Sequence, residues 1–291
     1  MSISSHPIGA GRSSRLDPLD TDAIDGAAAL SPRASVRTAP RSRPLRVAAT
    51  TILGILAVGL VWHVAVLVFE PPRFIVPSPL DVLETIGLRY DYLLRHAGVT
   101  LVEIVLGLFF GSAAGITIAI AVTAIPGAMQ FAWPVILVIQ SLPVFAVAPL
   151  LVLWFGFGMA SKVVMAALII FFPVASAFAD GLRRTDREIL ESAALLGASR
   201  WRILFRIRIP LGMPGLVSGL RVAAPIAPLG AVIGEWVGAS AGLGFIMLQA
   251  NARVQTDMLF AVILVLAVLT LALRFVVDEL ADLLVPWAKE G

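Results

Sequence analysis

Six apolar runs, each about long enough to cross the hydrocarbon core of a bilayer as a helix, constrain this chain more than any other feature. A spanning helix needs about 20 apolar residues, and it satisfies its backbone hydrogen bonds internally where water is absent. Only 14% of the residues are charged, whereas soluble domains carry about 25%. The sequence therefore predicts an all-α polytopic membrane protein with six transmembrane helices, at residues 47–69, 99–124, 131–155, 163–179, 216–237 and 258–277.

The segments outside the apolar runs have their own signals. Residues 1–46 are rich in Ser, Pro, Asp and Arg, which predicts a disordered tail preceding a transmembrane domain at 47–291. The first apolar run begins too late and is too long for a secretory signal. Ser78, followed by Pro79 and Asp81, predicts the start of a short amphipathic surface helix over 79–96. The Gly-rich stretch after the fifth run predicts a loop that is partly re-entrant.

The distribution of arginine predicts the orientation in the membrane. The tail through Arg46 contains seven arginines, and the loop between the fourth and fifth runs, about 180–215, contains seven more. The opposite side contains five basic residues: Arg73, Arg89, Arg95, Lys162 and Arg253. Because basic residues accumulate on the cytoplasmic side, both termini and the arginine-rich loop are expected there.

Within that loop the pattern predicts two short helices separated by a turn. The first covers 186–196 and has an apolar face; Gly197 is its C-terminal stop. Ser199 caps the second helix, which Pro210 ends. Taken alone, such a helix pair is equally consistent with a surface that lies on acidic lipid. The expected apolar side chains are Ile189, Leu190, Ala193, Ala194 and Leu196 in the first helix and Trp201, Leu204 and Phe205 in the second.

The spacing of this loop resembles the signature of binding-protein-dependent ABC importer permeases. That signature reads E-A-A, three residues, G, nine residues, then I-x-L-P. Here Ser192 replaces the first Ala and Ile209 replaces Leu. The resemblance implies a type I ABC importer permease architecture, in which this loop is a coupling helix that docks in a groove of a cytoplasmic ATPase. The residues implied in that contact are Glu191, Ser192, Ala193, Gly197, Arg200 and Pro210.

The resemblance covers residues 77–287 and extends to a subgroup. Several stretches, including LPVFAVAPLLVLWFGFGMASKVV, are similar to the nitrate, sulfonate and taurine group of permeases. GEWVGASAGLGFIMLQANARVQTDMLFA is most similar to permeases for hydroxymethylpyrimidine precursors of thiamine. The implied partners are a cytoplasmic ATPase pair that holds ATP and Mg²⁺, a second permease copy, an extracytoplasmic binding protein and the bilayer. The chain itself is expected to be neither an enzyme nor a cofactor-binding protein.

Irregular backbone inside membrane helices indicates a translocation pathway. Pro143 interrupts the third run, and Pro225 and Pro228 lie in the fifth at similar depth, so both helices are expected to be kinked there. Gln140 and Ser141 are polar groups near that level. The alternative interpretation is that the prolines serve only helix packing.

Four charged residues fall inside the apolar runs: Glu103, Arg221, Glu235 and Arg274. Both arginines are expected near the inner face, snorkelling to headgroups. Glu235 is implied by the resemblance to lie at the outer mouth of the pathway, although it is equally consistent with an interfacial residue beside Trp236. The absence of a cation at the expected midplane favours a neutral or heteroaromatic substrate over an anion.

Three classes of function differ in what they require. An ABC permease is favoured, with a thiamine-precursor pyrimidine or else a sulfonate, taurine or nitrate as substrate. A proton-coupled secondary transporter would use Glu103 and Glu235 as proton carriers. A membrane enzyme is not favoured, because the sequence shows no metal cluster or Ser/His pair at the membrane surface. The chain also has no cysteine, which excludes a thiolate site. A net charge of +3 argues against nucleic acid. The chain has no G-x-x-x-x-G-K-[ST] motif for ATP.

Overall fold

A computed structural model describes residues 43–125 and 127–287, and every regular element in these ranges is helical. Residues 1–42 of the expected tail lie outside the described residues. Contacts divide the chain after residue 55, and the packing described here is that of residues 56–125 and 127–287. The helices are α1 Arg43–Phe69, α2 Pro79–Leu88, α3 Tyr90–Ala124, α4 Ala128–Ser141, α5 Val144–Phe155, α6 Met159–Arg183, α7 Arg187–Leu195, α8 Arg200–Ile203, α9 Ile209–Trp236, α10 Leu243–Ala252 and α11 Thr256–Leu284, with a π-helical turn Leu204–Arg208 between α8 and α9.

Four helices are long and apolar enough to cross a membrane within the described residues: Tyr90–Ala124, Met159–Arg183, Arg200–Trp236 and Thr256–Ala281. They correspond to the second, fourth, fifth and sixth apolar runs. The third run is divided into two short helices, α4 and α5, at Pro143. Proline has no N–H and its ring clashes with the preceding turn, so the helix ends and a new one begins. The apolar part of α1, Leu53–Phe69, is also shorter than the four long helices.

Glycines bring α3 and α9 close to α6. Gly111 of α3 faces α6, where an added Cβ would lie 2.7 Å from the Ala167 carbonyl oxygen. Gly219 of α9 faces the same helix, 2.9 Å from the Pro173 carbonyl oxygen. Small residues permit this approach, and membrane helices associate through such close packing. The buried core of α3, α6 and α9 includes Ile104, Ala166, Ile170, Phe178, Ala223 and Ala227.

The expected start of the surface helix is confirmed, but its end is not. Ser78 Oγ accepts from the Asp81 N–H at 3.2 Å, and the Asp81 carboxylate accepts from the Ser78 N–H at 3.3 Å. The hydrogen bond from the Ser78 hydroxyl holds the pKa of Asp81 below its ordinary value. The helix ends at Leu88, and α3 begins at Tyr90, so the expectation of one helix over 79–96 was wrong.

The Gly-rich stretch after α9 contains a helix, which corrects the expectation of a loop. Leu243–Ala252 forms α10, whose Leu243 and Ile246 are buried against Val262 of α11. The apolar contacts with α11 stabilise a helix too short to cross a membrane by itself. Its N-terminus depends on side chains from α3 and α9, which are described below.

Candidate functional site

The arginine-rich loop begins with α7, whose residues are all at least partly exposed. Asp186 caps the helix, because its Oδ1 accepts from the Glu188 N–H at 3.0 Å. Glu191 accepts a 2.6 Å hydrogen bond from Arg187 Nε, one turn earlier. Both side chains are exposed, so this ion pair contributes little to stability. The segment therefore presents its side chains outward rather than into a core.

Gly197 ends α7 as expected. Its φ is +80°, which favours glycine because a Cβ is strained in that region. The Gly197 N–H donates to the Ala194 carbonyl and the Ala198 N–H to the Ala193 carbonyl, both at 3.0 Å. These two bonds form a Schellman motif, which satisfies the last carbonyls of the helix. The motif leaves Leu195 and Leu196 each 89% exposed at the tip of the loop.

The second part of the loop differs from its prediction. Ser199 caps α8, as expected, by accepting from the Arg202 N–H at 3.3 Å. Pro210, however, does not end a helix: it lies in the first turn of α9, which continues from the π-helical turn. In that turn the Ile209 N–H reaches back five residues to the Leu204 carbonyl. We attribute the tolerance of Pro210 to this wider turn, because a tighter α-helical turn would clash with the proline ring.

The apolar residues of α8 and the π-helical turn do not share one face. Leu204 is buried, whereas Trp201 and Phe205 are both more than half exposed. Their rings stack with centroids 6.1 Å apart. The loop thus has two exposed apolar groups, one at Leu195 and Leu196 and one at the stacked rings.

Gln140 lines a cavity of ≈ 540 Å³ beside the break between α4 and α5. Its lining is mainly apolar and aromatic and includes Leu142, Val144, Phe171, Phe172 and Ile226. The cavity lining contains no charged side chain among the described residues. α4, α5, α6 and α9 all contribute to it.

The other residues expected along a pathway have different environments. The Ser141 hydroxyl donates to the Val138 carbonyl at 2.8 Å, within its own helix. Pro143 is the N-cap of α5. Pro225 is exposed and Pro228 is buried, and α9 runs without interruption through both. The helix is therefore broken at Pro143 but not at the prolines of the fifth run.

Pro225 nevertheless changes the hydrogen bonding of α9. Because proline has no N–H, the Arg221 carbonyl lacks its usual helical donor four residues on. The Arg274 guanidinium of α11 donates to that carbonyl. Asp278 accepts from Arg221 Nε at 2.9 Å and from Arg274 Nε at 2.8 Å. The two arginines therefore hold α9 to α11, which corrects the expectation that they only snorkel.

Glu235 lies in a buried polar cluster, not at an interface beside Trp236 as one interpretation held. Its side chain is 0% exposed. Thr100 Oγ1 donates to its Oε1 at 2.6 Å, and the Gly244 N–H donates to its Oε2. Glu103 is also buried, and Lys162 Nζ lies 4.0 Å from Glu103 Oε1. Lys162, counted above among the basic residues of the outer side, is thus buried beside Glu103, and its Nζ donates to the carbonyls of Phe157 and Gly158.

This cluster caps α10 from other helices. The first N–H groups of a helix lack partners within it. Here the Gly242 N–H donates to His96 Nδ1 at 2.9 Å, the Leu243 N–H to Thr100 Oγ1 at 2.7 Å, and the Gly244 N–H to Glu235. A Cβ at Gly244 would lie 2.8 Å from Glu235 Oε2, so a glycine is required for this approach. The residues that form this arrangement are distant in sequence, and the glycines on either side of Leu243 are its local signal.

No three His, Asp or Glu side chains are grouped as a metal site in the described ranges. Residues 130–290 match the family described as "Binding-protein-dependent transport system inner membrane component".

Three relatives cover most of the chain. A probable ABC transporter permease protein of Haemophilus influenzae is 44% identical, over 79% of this chain and 93% of the relative. The formylaminopyrimidine transport permease protein ThiX of Halalkalibacterium halodurans is 32% identical, over 79% of this chain and 92% of the relative. The taurine transport system permease protein TauC of Escherichia coli is 33% identical, over 85% of this chain and 93% of the relative.

A solved structure has a similar fold. A chain of the MetNI methionine ABC transporter in an inward-facing conformation matches with a TM-score of 0.58 at 20% identity, and the match covers 66% of this chain and 96% of that chain.

Proposed function

Because the chain belongs to the binding-protein-dependent transport system inner membrane components, we propose that it forms the pathway of an ATP-driven importer and couples that pathway to an ATPase through the arginine-rich loop. The chain is the permease of an ABC importer, a multi-pass protein of the cell membrane, and is not itself catalytic. Such an importer also requires an ATPase and a substrate-binding protein.

The exposed tip of the loop is the observation that carries the coupling assignment. Leu195 and Leu196 are almost fully exposed beside the tight turn at Gly197. Two adjacent leucines in water are unfavourable, and burying one such side chain contributes about 1.5–3 kcal/mol. An apolar groove of the ATPase accounts for this exposure. Glu191, Ser192 and Ala193 would then line the contact on α7, while Arg200 and Pro210 would carry the movement into α9.

The proposed arrangement in the membrane has six crossings. α4 and α5 together make the third crossing, and α1 the first. Both termini and the arginine-rich loop then lie in the cytoplasm, as the distribution of arginine favours. Large apolar residues remain exposed on the membrane helices, among them Phe109 and Phe110 of α3. We assign part of this surface to a second copy of the chain and the rest to lipid.

The cavity at Gln140 supports a neutral heteroaromatic substrate. Phenylalanine rings line it, and one amide provides hydrogen bonds. The lining described above has no charged side chain to pair with an anion. An anion would depend on the N-terminus of α5 at Val144 alone. A pyrimidine precursor of thiamine fits these features, and the similarity to ThiX supports it. A sulfonate is the second candidate, because TauC is similar to the same extent.

In this proposal Gln140 contacts the substrate, and Ser141, Pro143, Pro225 and Pro228 shape the helices around it. Glu235 acts through α10, since its carboxyl oxygens accept hydrogen bonds from Thr100 and Gly244. It thereby positions the outer end of the pathway without contacting the substrate.

Uptake into vesicles tests the function. The permease is reconstituted with its ATPase and binding protein, and accumulation of a labelled hydroxymethylpyrimidine is compared with that of labelled taurine. We expect ATP-dependent uptake of the pyrimidine that a protonophore does not affect. Uptake of taurine alone would favour the sulfonate branch, and ATP-independent uptake abolished by a protonophore would contradict the importer.

A further inference from the structure

A cavity of ≈ 460 Å³ lies between the C-terminal end of α3 and the segment formed by α8 and the π-helical turn. It is lined by Thr123 and Ala124 of α3, Leu190 of α7, and Arg200, Trp201 and Arg208. Both charged groups in this lining are guanidinium groups. The Thr123 hydroxyl is already engaged, because it donates to the Ala119 carbonyl at 2.8 Å. The cavity is therefore basic and has hydrogen-bond donors without matching acceptors.

Arg208 is the clearest sign that something is bound there. Its Nε is buried and has no hydrogen-bond partner among the described residues. A buried, unsatisfied donor on a charged group is unfavourable, and native structures usually provide a partner. In the described part of the loop the one ion pair is Arg187 with Glu191, so Arg200 and Arg208 have no carboxylate partner there.

We propose that Arg200 and Arg208 bind the phosphate group of an anionic phospholipid in this cavity. Guanidinium groups bind phosphate oxygens through paired N–H donors. The cavity adjoins the end of α3, one of the four membrane-crossing helices, so it lies where lipid headgroups lie. Trp201 also lines it, and tryptophan favours the membrane–water interface. Anionic lipids of the cytoplasmic leaflet attract basic segments of this kind.

This site overlaps the proposed coupling segment at Arg200, but it does not include the two leucines assigned to the ATPase groove. Leu190 lines the cavity, whereas Leu195 and Leu196 do not. At about 100° per residue, those two leucines lie more than a quarter-turn from Leu190 on either side. α7 can therefore face lipid with one side and the ATPase with the other. The lipid site rests on the proposed function in one respect only: this end of the helices lies at the inner membrane surface.

Native mass spectrometry of the detergent-purified permease, titrated with phosphatidylglycerol or phosphatidylcholine, tests the proposal without the ATPase. We expect preferential retention of phosphatidylglycerol. Arg200→Gln combined with Arg208→Gln should reduce that retention about tenfold, the factor expected when a charge-assisted hydrogen bond is lost. Arg202→Gln is the matched control, because Arg202 is exposed on the same helix outside the cavity lining. Arg208→Lys, which keeps the charge but not the paired donors, should give intermediate retention and covers the case in which the double variant does not fold.

Three results would overturn the proposal. One is equal retention of phosphatidylglycerol by the double variant and the wild type. Another is displacement of the lipid by millimolar inorganic phosphate, which would make this a site for soluble phosphate. The third is unchanged lipid retention with reduced ATPase pull-down, which would assign both arginines to the ATPase. Lipid retention is measured on the permease alone, so it does not depend on the coupling assignment. If the coupling assignment is wrong, Gly197 variants will retain both the lipid and the ATPase as the wild type does.

Discussion

Thr100 on α3 donates a 2.6 Å hydrogen bond to the carboxylate of Glu235 on α9, although 135 residues separate them in the sequence. The same hydroxyl oxygen accepts from the Leu243 N–H at the start of α10. One buried threonine thus joins three helices. Because each polar group in this arrangement satisfies another, removal of one leaves its partners buried and unpaired.

Glu235→Ala should destabilise the permease by about 2–4 kcal/mol, since it removes acceptors for two buried donors. Glu235→Gln should be less harmful, because an amide oxygen can still accept one of these bonds. Thermal unfolding of the purified variants provides the comparison. Glu84→Ala is the control: Glu84 is exposed on α2, and its replacement should leave the melting temperature unchanged. An equally small effect of both alanine variants would mean that the cluster does not stabilise the fold.

Gly111→Ala should lower the stability of the fold and Gly98→Ala should raise it, although both glycines lie in α3. A Cβ at Gly111 would meet the Ala167 carbonyl oxygen, whereas a Cβ at Gly98 has open space. Overpacking typically costs about 1–3 kcal/mol, while alanine in place of an unhindered helical glycine stabilises by about 0.5–1 kcal/mol. Resistance of the two variants to heat in the same detergent measures the difference. Equal melting temperatures would show that α3 and α6 are not packed this closely.

The cost of removing Arg274 should depend on Pro225. Arg274→Met deprives the Arg221 carbonyl of its donor from α11. In a Pro225→Ala background the new alanine N–H can donate to that carbonyl instead, so Arg274→Met should be milder by about 0.5–1.5 kcal/mol. A double-mutant cycle of unfolding free energies measures this coupling. Arg274→Met removes the Arg274–Asp278 ion pair equally in both backgrounds, and the Arg221–Asp278 pair remains in all four proteins, so both ion pairs cancel in the coupling. A coupling of zero would contradict the compensating bond.

Gly197→Asp should leave membrane levels normal, weaken co-purification of the ATPase and abolish most uptake. Gly156→Asp is a matched control: its φ is also +80° and its Cβ position is also open, but it lies outside the loop. The backbone cost should be about 1 kcal/mol at Gly197 and at least as large at Gly156, whose ψ of 178° lies in a region almost restricted to glycine. Arg200→Ala should be milder. If the loop only lies on acidic lipid, Gly197→Asp will retain the ATPase in a pull-down as well as Gly156→Asp does.

The orientation can be measured by cysteine labelling, because the chain has no native cysteine. Ser192 on α7 and Ser240 after α9 are both exposed, so either can be replaced by cysteine. A membrane-impermeant maleimide should label Ser240→Cys in intact cells but Ser192→Cys only after permeabilisation. The reverse pattern would overturn the proposed topology.

Local sequence determined those features whose partners lie within a few residues. The Ser78 cap, the Gly197 turn and the Ser199 cap each depend on hydrogen bonds that span five residues or fewer, so the pattern alone predicted them. The long apolar helices follow from composition in the same way, because a helix satisfies its backbone internally.

Tertiary structure decided the features whose partners are distant in sequence. α10 forms where a loop was expected, because Thr100 and Glu235 supply the acceptors at its N-terminus. Arg274 is held by Asp278 and by a carbonyl that Pro225 leaves without a donor, a relationship between two helices that no local pattern contains. Side chains of α3, α9 and α11 meet only once the helices have packed, and the polar groups they bury must then find partners in each other.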